Sequence, residues 1–181
     1  MGLVCFADES GSPVHCTVMC MSIICFERRP GVASHMHGYE AWTSVRRLLG
    51  WRRGELKYRG VRRAAERRGI GVEEVLSHTF AAAVLAAGCC VHVEEAPRAR
   101  PGLVEAVAGL VPGGSTVFLD NEALPGGLAG ARKLSRRLGV WLRFADSART
   151  PGVQLADILA GYLREEGVMG CRVLLDRVGR G

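Results

Sequence analysis

No C-x-x-C pair occurs in this sequence, although it carries seven cysteines, at positions 5, 16, 20, 25, 89, 90 and 171. Tetrahedral zinc draws its ligands from closely spaced pairs, so a structural zinc is not expected. Long apolar runs are missing too, since none reaches the ~18–20 residues that span a bilayer. The longest, Val14 to Phe26, is interrupted by His15, Thr17 and Ser22 and follows no basic leader, so the sequence predicts an intracellular, cytoplasmic protein. Glycine-rich phosphate loops are absent, and no Ser-His-Asp arrangement can be read from the chain. No repeat, low-complexity tract or linker divides it. Lysine is almost missing, with 2 Lys against 22 Arg.

What is present suits a globular protein. At 181 residues, 48% hydrophobic and 23% charged, the chain has material for one domain spanning 1–181. The cysteines are read as buried thiols acting as small hydrophobes. Internal disulfides are the alternative, known inside the cells of hyperthermophiles.

The pattern of elements follows from periodicity and turn chemistry. Leu3 to Asp8 reads as a buried strand ended by Ser10-Gly11-Ser12-Pro13, and Val14 to Phe26 as a second, antiparallel extended segment with no internal turn. Glu27 to Gly38 reads as a loop. Helices are expected over Tyr39–Leu49, in part of the basic stretch from Trp51 to Arg68, and over Val72–Ala87 with Gly88 as C-cap. Further helices are expected over Pro101–Leu110, Leu128–Leu138 and from Pro151 to about Glu166 behind a Thr150 N-cap. Strands are expected at Cys89–Val93, Thr116–Asp120 and Val140–Phe144. Strands alternating with helices imply an α/β fold whose central mixed sheet has helices on both faces.

Charge is concentrated. Ten basic residues lie between Val45 and Ile70 against two acids, Glu55 and Glu66, within a net charge of +6. Such an excess, which includes Arg52, Arg53, Arg59, Arg62 and Arg63, attracts a polyanion such as nucleic acid. A solvated helical face is the plainer reading of a charge run. Trp51, Tyr58 and Trp141 lie near basic residues and suit either base stacking or packing. His35 and His37 form a His-x-His pair that lacks a third ligand and reads as surface histidine. Vicinal Cys89-Cys90 reads as packing rather than redox chemistry.

Three acids stand in apolar surroundings. Asp8 ends Val4-Cys5-Phe6-Ala7, Asp120 ends Val117-Phe118-Leu119, and Asp157 lies in a helix apolar around nearly its whole circumference. A buried carboxylate must be paired, protonated or metal-bound. Singly, Asp8 can cap a turn, Asp120 can begin a loop and Asp157 can pair with an arginine. Together they favour a shared Mg²⁺ or Mn²⁺, for which carboxylate oxygens are the preferred ligands. Gln154, one turn before Asp157, is placed to orient a ligand. Glu9 points to the opposite side of an extended chain and is the less favoured partner of Asp8.

The ordered set of Asp8-Glu9-Ser10-Gly11, an acid-ended central strand, and Asp146-Ser147 leading into Gln154-Leu155-Ala156-Asp157 resembles the family called domain of unknown function 3800. That family is similar to the ribonuclease-H-like superfamily. The resemblance implies a ribonuclease-H-like fold with acids on the first strand (Asp8), a central strand end (Asp120) and the last helix (Asp157). It also implies a Glu-x-Lys element at Glu55 and Lys57, with Lys57 contacting a phosphate or the attacking water and Asp146 as an auxiliary acid. The expected function is a divalent-metal-dependent nuclease. The alternative is a non-catalytic nucleic-acid-binding or scaffold module on the same fold.

Overall fold

Residues Leu3–Ser10 form strand β1, and their side chains fall alternately into two apolar layers. Val4 and Phe6 enter one layer, while Leu3, Cys5 and Ala7 enter the other, so the strand is apolar on both faces. The computed structural model describes residues 2–11, 16–92, 96–120, 124 and 126–178, with backbone only for 96–100. Strand β2 (Val18–Glu27) lies antiparallel to β1, and β3 (Leu85–His92) antiparallel to β2. Two shorter strands, β4 (Thr116–Asp120) and β5 (Trp141–Ala145), run parallel to β1, and β6 (Gly170–Asp176) closes the far edge against β3. The order is β5-β4-β1-β2-β3-β6, a mixed sheet as expected.

Helices cover both faces. On the Phe6 side lie α1 (Tyr39–Leu49), α2 (Tyr58–Glu66) and α3 (Val72–Phe80), which are inserted between β2 and β3. On the opposite side lie α4 (Ala96–Ala108) and α5 (Gly127–Leu138). The last helix, α6 (Pro151–Glu165), returns to the Phe6 side and packs on β1 and β2. Pro151 occupies the first turn of α6, where its missing N–H costs nothing. Thr150 holds the N-cap position, although its hydroxyl makes no capping bond. Among the described residues no helix is long and apolar enough to cross a membrane.

The close approach of α6 needs glycine. A Cβ on Gly152 would enter the Phe6 ring, and one on Gly161 would enter the Tyr58 ring. Gly88 serves the same purpose from the sheet, where Leu163 of α6 fills the space of a side chain. It is therefore no C-cap. The helix expected over Val72–Ala87 ends at Phe80, and Leu85–His92 is a strand. The Ala-rich composition there favours helix intrinsically. It is small because β3 is pressed by α6 on one face and α4 on the other, and tertiary packing overrides propensity. Of the segment expected from Val14 to Phe26, Val14 and His15 lie outside the described residues and Val18–Glu27 is one strand, and the third strand of the meander comes only after three helices.

The cysteines depart furthest from expectation. Six of the seven form disulfides, Cys5–Cys25, Cys20–Cys90 and Cys89–Cys171, leaving Cys16 free. Each bridge joins residues directly opposite in an antiparallel ladder. Together they tie β1 to β2, β2 to β3 and β3 to β6. Spacing along the chain held no sign of this, because the pairing depends on register.

Candidate functional site

Alternation along β1 places Asp8 on the Phe6 side, facing α6, and Glu9 on the other side. Asp8 lies opposite Ser22 of β2, a small residue whose buried hydroxyl donates to the Ala156 carbonyl at 2.7 Å. That bond draws the backbone of α6 onto the sheet one residue before Asp157. Ser22 was visible in the sequence only as an interruption of an apolar run. In the parallel pairing of β1 with β4, Ala7 faces Leu119, so Asp120 follows at the level of Asp8. By alternation from Phe118, it lies on the same face of the sheet.

The remaining members arrive on the segment before α2. Gln154, 2% exposed, receives hydrogen bonds at Oε1 from Trp42 Nε1 (2.8 Å) and Leu56 N (2.9 Å). Its Nε2 donates to the carbonyls of Ser147 and Ala148. Its amide is thus fully used by protein groups, and Gln154 positions the Glu55–Lys57 segment rather than orienting a ligand. Leu56 anchors that segment in the core, with Glu55 and Lys57 on either side and an ion pair of 3.0 Å between them. Asp157 Oδ2 accepts from Tyr58 N at 2.7 Å. It thereby satisfies an amide at the N-terminus of α2 that no local side chain caps.

The electrostatics follow from burial and from mutual repulsion. Burial first, and then the charge of Asp157, pushes the Asp8 carboxyl up to about 8, with Asp120 adding to the rise. The Glu9 amide and the Lys57 ammonium oppose it. Asp8 Oδ1 accepts from Glu9 N at 2.8 Å, whereas its Oδ2 is buried with no hydrogen-bond partner among the described residues. Burial also raises Asp157, against the Tyr58 amide and Lys57, and the charge of Glu55 reinforces the rise. Burial works to lower Lys57, but the hydrogen bond with Glu55 and the charges of Asp157 and Asp8 outweigh it and hold the ammonium above its usual range. Three carboxylates, Glu55, Asp157 and Asp8, therefore act on the Lys57 ammonium. Among the described residues, however, no three His, Cys, Asp or Glu side chains are gathered closely enough to hold a metal ion.

Other residues singled out by sequence lie elsewhere. Asp146 is exposed and caps a short 3-10 turn, accepting from Ala148 N at 2.9 Å. Arg52 and Arg53 are exposed before Gly54, and Arg59, Arg62 and Arg63 are exposed along α2. Arg62 is committed to Glu66 (2.9 Å) and Glu165 (2.7 Å), and with Arg59 and Arg63 it lines a depression of 340 Å³. His37 is buried, not a surface residue. Its Nε2 accepts from Arg29 N, which leaves it a support for the loop.

The Gln154 clamp makes a direct prediction. Replacing it in Gln154→Met strands the Trp42 and Leu56 donors in the core and should cost about 2–4 kcal/mol. Thermal denaturation reads this, and a midpoint that does not move would refute the clamp.

Among solved structures, the chain is similar to one in the PCNA:RNase HII complex from Archaeoglobus fulgidus, with a TM-score of 0.54 and 14% identity. The match covers 90% of this chain and 72% of that one. At this identity the likeness is one of fold, and the fold is ribonuclease-H-like. No family model matches the sequence, that of domain of unknown function 3800 included, and no curated protein matches it. The finer family resemblance therefore stands on its motifs alone.

Proposed function

We propose that the protein is a divalent-metal-dependent nuclease acting on nucleic acid, and that Asp8, Glu55, Asp120 and Asp157 hold Mg²⁺ or Mn²⁺. The observation that carries this is the buried Oδ2 of Asp8, which has no hydrogen-bond partner among the described residues and lies among carboxylates that one lysine cannot neutralise. The donor set is all hard oxygen, which suits these two cations. When bound, such an ion would supply stabilisation of phosphodiester oxygens and a more acidic water. Lys57, half exposed beside the carboxylates, is placed to meet a phosphate oxygen. Exposed Arg52, Arg53, Arg59 and Arg63 hold the backbone.

The purified chain with Mn²⁺ is expected to cleave at least one of single-stranded DNA, RNA and hybrid substrates, and Asp157→Asn to abolish the cleavage. An intact substrate panel together with undetectable metal binding would falsify the proposal. A non-catalytic nucleic-acid-binding module is favoured by the Glu55–Lys57 pair and by the lack of a gathered ligand triad among the described residues. Alanine at Asp8 and Asp157 separates the two readings. The enzyme loses turnover while keeping affinity in metal-free buffer, whereas a binder changes only in stability.

A further inference from the structure

Of the three aromatic residues near basic charge, the fold uses two internally. Trp51 is partly buried and packs over Gly60, and Tyr58 is buried with its hydroxyl on Glu165 at 2.7 Å. Trp141 is different. It opens the edge strand β5 and is 66% exposed. Its register partner in β4 is Thr116, and the next pairs along are Phe118 with Arg143 and Asp120 with Ala145. Trp141 and Arg143 therefore share the sheet face that carries Phe118, Asp120 and Asp8. The other helices of that face leave β5 open, since both residues are exposed. Exposed Arg28 reaches the same strip from the end of β2, donating to Thr116 Oγ1 at 2.8 Å beside Trp141. Among the described residues neither Arg28 nor Arg143 has a carboxylate partner.

We infer that this strip is a stacking platform for an unpaired stretch of nucleic acid, with a base on Trp141, phosphates on Arg143 and Arg28, and the strand led towards Asp120. The inference rests on the nucleic-acid reading above and deepens it by naming single-stranded character in the substrate. Every base has a π-face for an indole, but only an unpaired base presents it. A guanidinium without a carboxylate binds phosphate oxygens in a fork. Four residues of strand separate Trp141 from the level of Asp120, about 13 Å, so a strand on the platform reaches the carboxylates without bending back. A protein partner would want more apolar surface, whereas here the single exposed indole is flanked by unpaired positive charge.

The test is anisotropy of a fluorescein-labelled oligothymidylate and of a labelled duplex, with the full chain in EDTA so that metal plays no part. Trp141→Ala is expected to weaken single-strand binding about tenfold, and Trp141→Phe to restore most of it. Arg143→Gln should lower the slope of log affinity against log salt by about one. Duplex affinity should stay as in wild type. Because Trp141 faces solvent, these variants keep the fold, and thermal midpoints verify that. Unchanged single-strand affinity in Trp141→Ala, or an equal loss on duplex, overturns the platform while the nuclease reading stands. A wild-type chain that binds neither probe overturns both. A dimer in sedimentation that Trp141→Ala dissolves shows the face to be a contact between copies, and the inference fails.

Discussion

Complete reduction of the disulfides is expected to lower the thermal midpoint by about 20 °C. The three bridges span sequence separations of 20, 70 and 82 residues. Loops of these lengths restrict the unfolded chain by about 3–4.5 kcal/mol each in the chain-entropy account. For a chain of this size, 1 kcal/mol shifts the midpoint by roughly 2–4 °C. The bridges share β2 and β3, so their effects do not add in full. Thiol titration in denaturant should find one free thiol, Cys16, before reduction and seven after it. Access sets the order of loss. Cys171 is exposed on the edge strand, so Cys89–Cys171 should open first under mild reductant and release β6. Cys5–Cys25 and Cys20–Cys90 are buried in the two core layers and should resist until the sheet opens. Seven titratable thiols before any reductant would refute the pairing and the stability effect with it.

The same bridges mark where sequence reading stops. Features set by neighbours along the chain were legible. Helix α1 has the expected bounds, β4 ends at Asp120, and α6 begins at Pro151. Features set by neighbours across space were not. Which cysteine faces which depends on strand register, and register depends on packing against both layers. The second half of the strand Leu85–His92 was legible from Cys89 on, but Leu85–Ala87 read as helix because alanines that exist to admit α6 and α4 have helical propensity. At the site, burial of Asp8 and Asp157 could be inferred from their apolar flanks. Gln154 could not be separated from a ligand-orienting residue, since its four partners come from α1, the segment before α2 and the turn before α6. Likewise, Trp141 looked no different from Trp51 until the sheet placed one at an edge and the other beneath α2.

A stability profile against pH should show the carboxylate cluster directly. In metal-free buffer, wild type is expected to lose stability as the pH rises from about 4 to about 8, and Asp8→Asn to lose much less. The sign follows from linkage. Folding raises the Asp8 carboxyl from 3.8 to about 8, so between those values the folded chain holds a proton that the unfolded chain has released. Stability from this group is complete below the lower value and is lost as the pH passes through the upper one. Each pH step of one between the two values is worth about 1.36 kcal/mol, and water drawn to the ionised carboxylate offsets part of the sum. The effect is then of order 4 kcal/mol, or about 10 °C in midpoint. Asparagine imitates the protonated acid, and its Oδ1 can still accept from the Glu9 amide. The two curves should therefore meet near pH 4 and separate towards pH 9, and parallel curves would sink the idea. A cation competes with that proton. Millimolar Mn²⁺ should then raise the wild-type midpoint, more at pH 8 than at pH 6, and leave Asp8→Asn unmoved. The carboxylate that weakens the fold when it ionises alone would become the group through which a bound metal strengthens it.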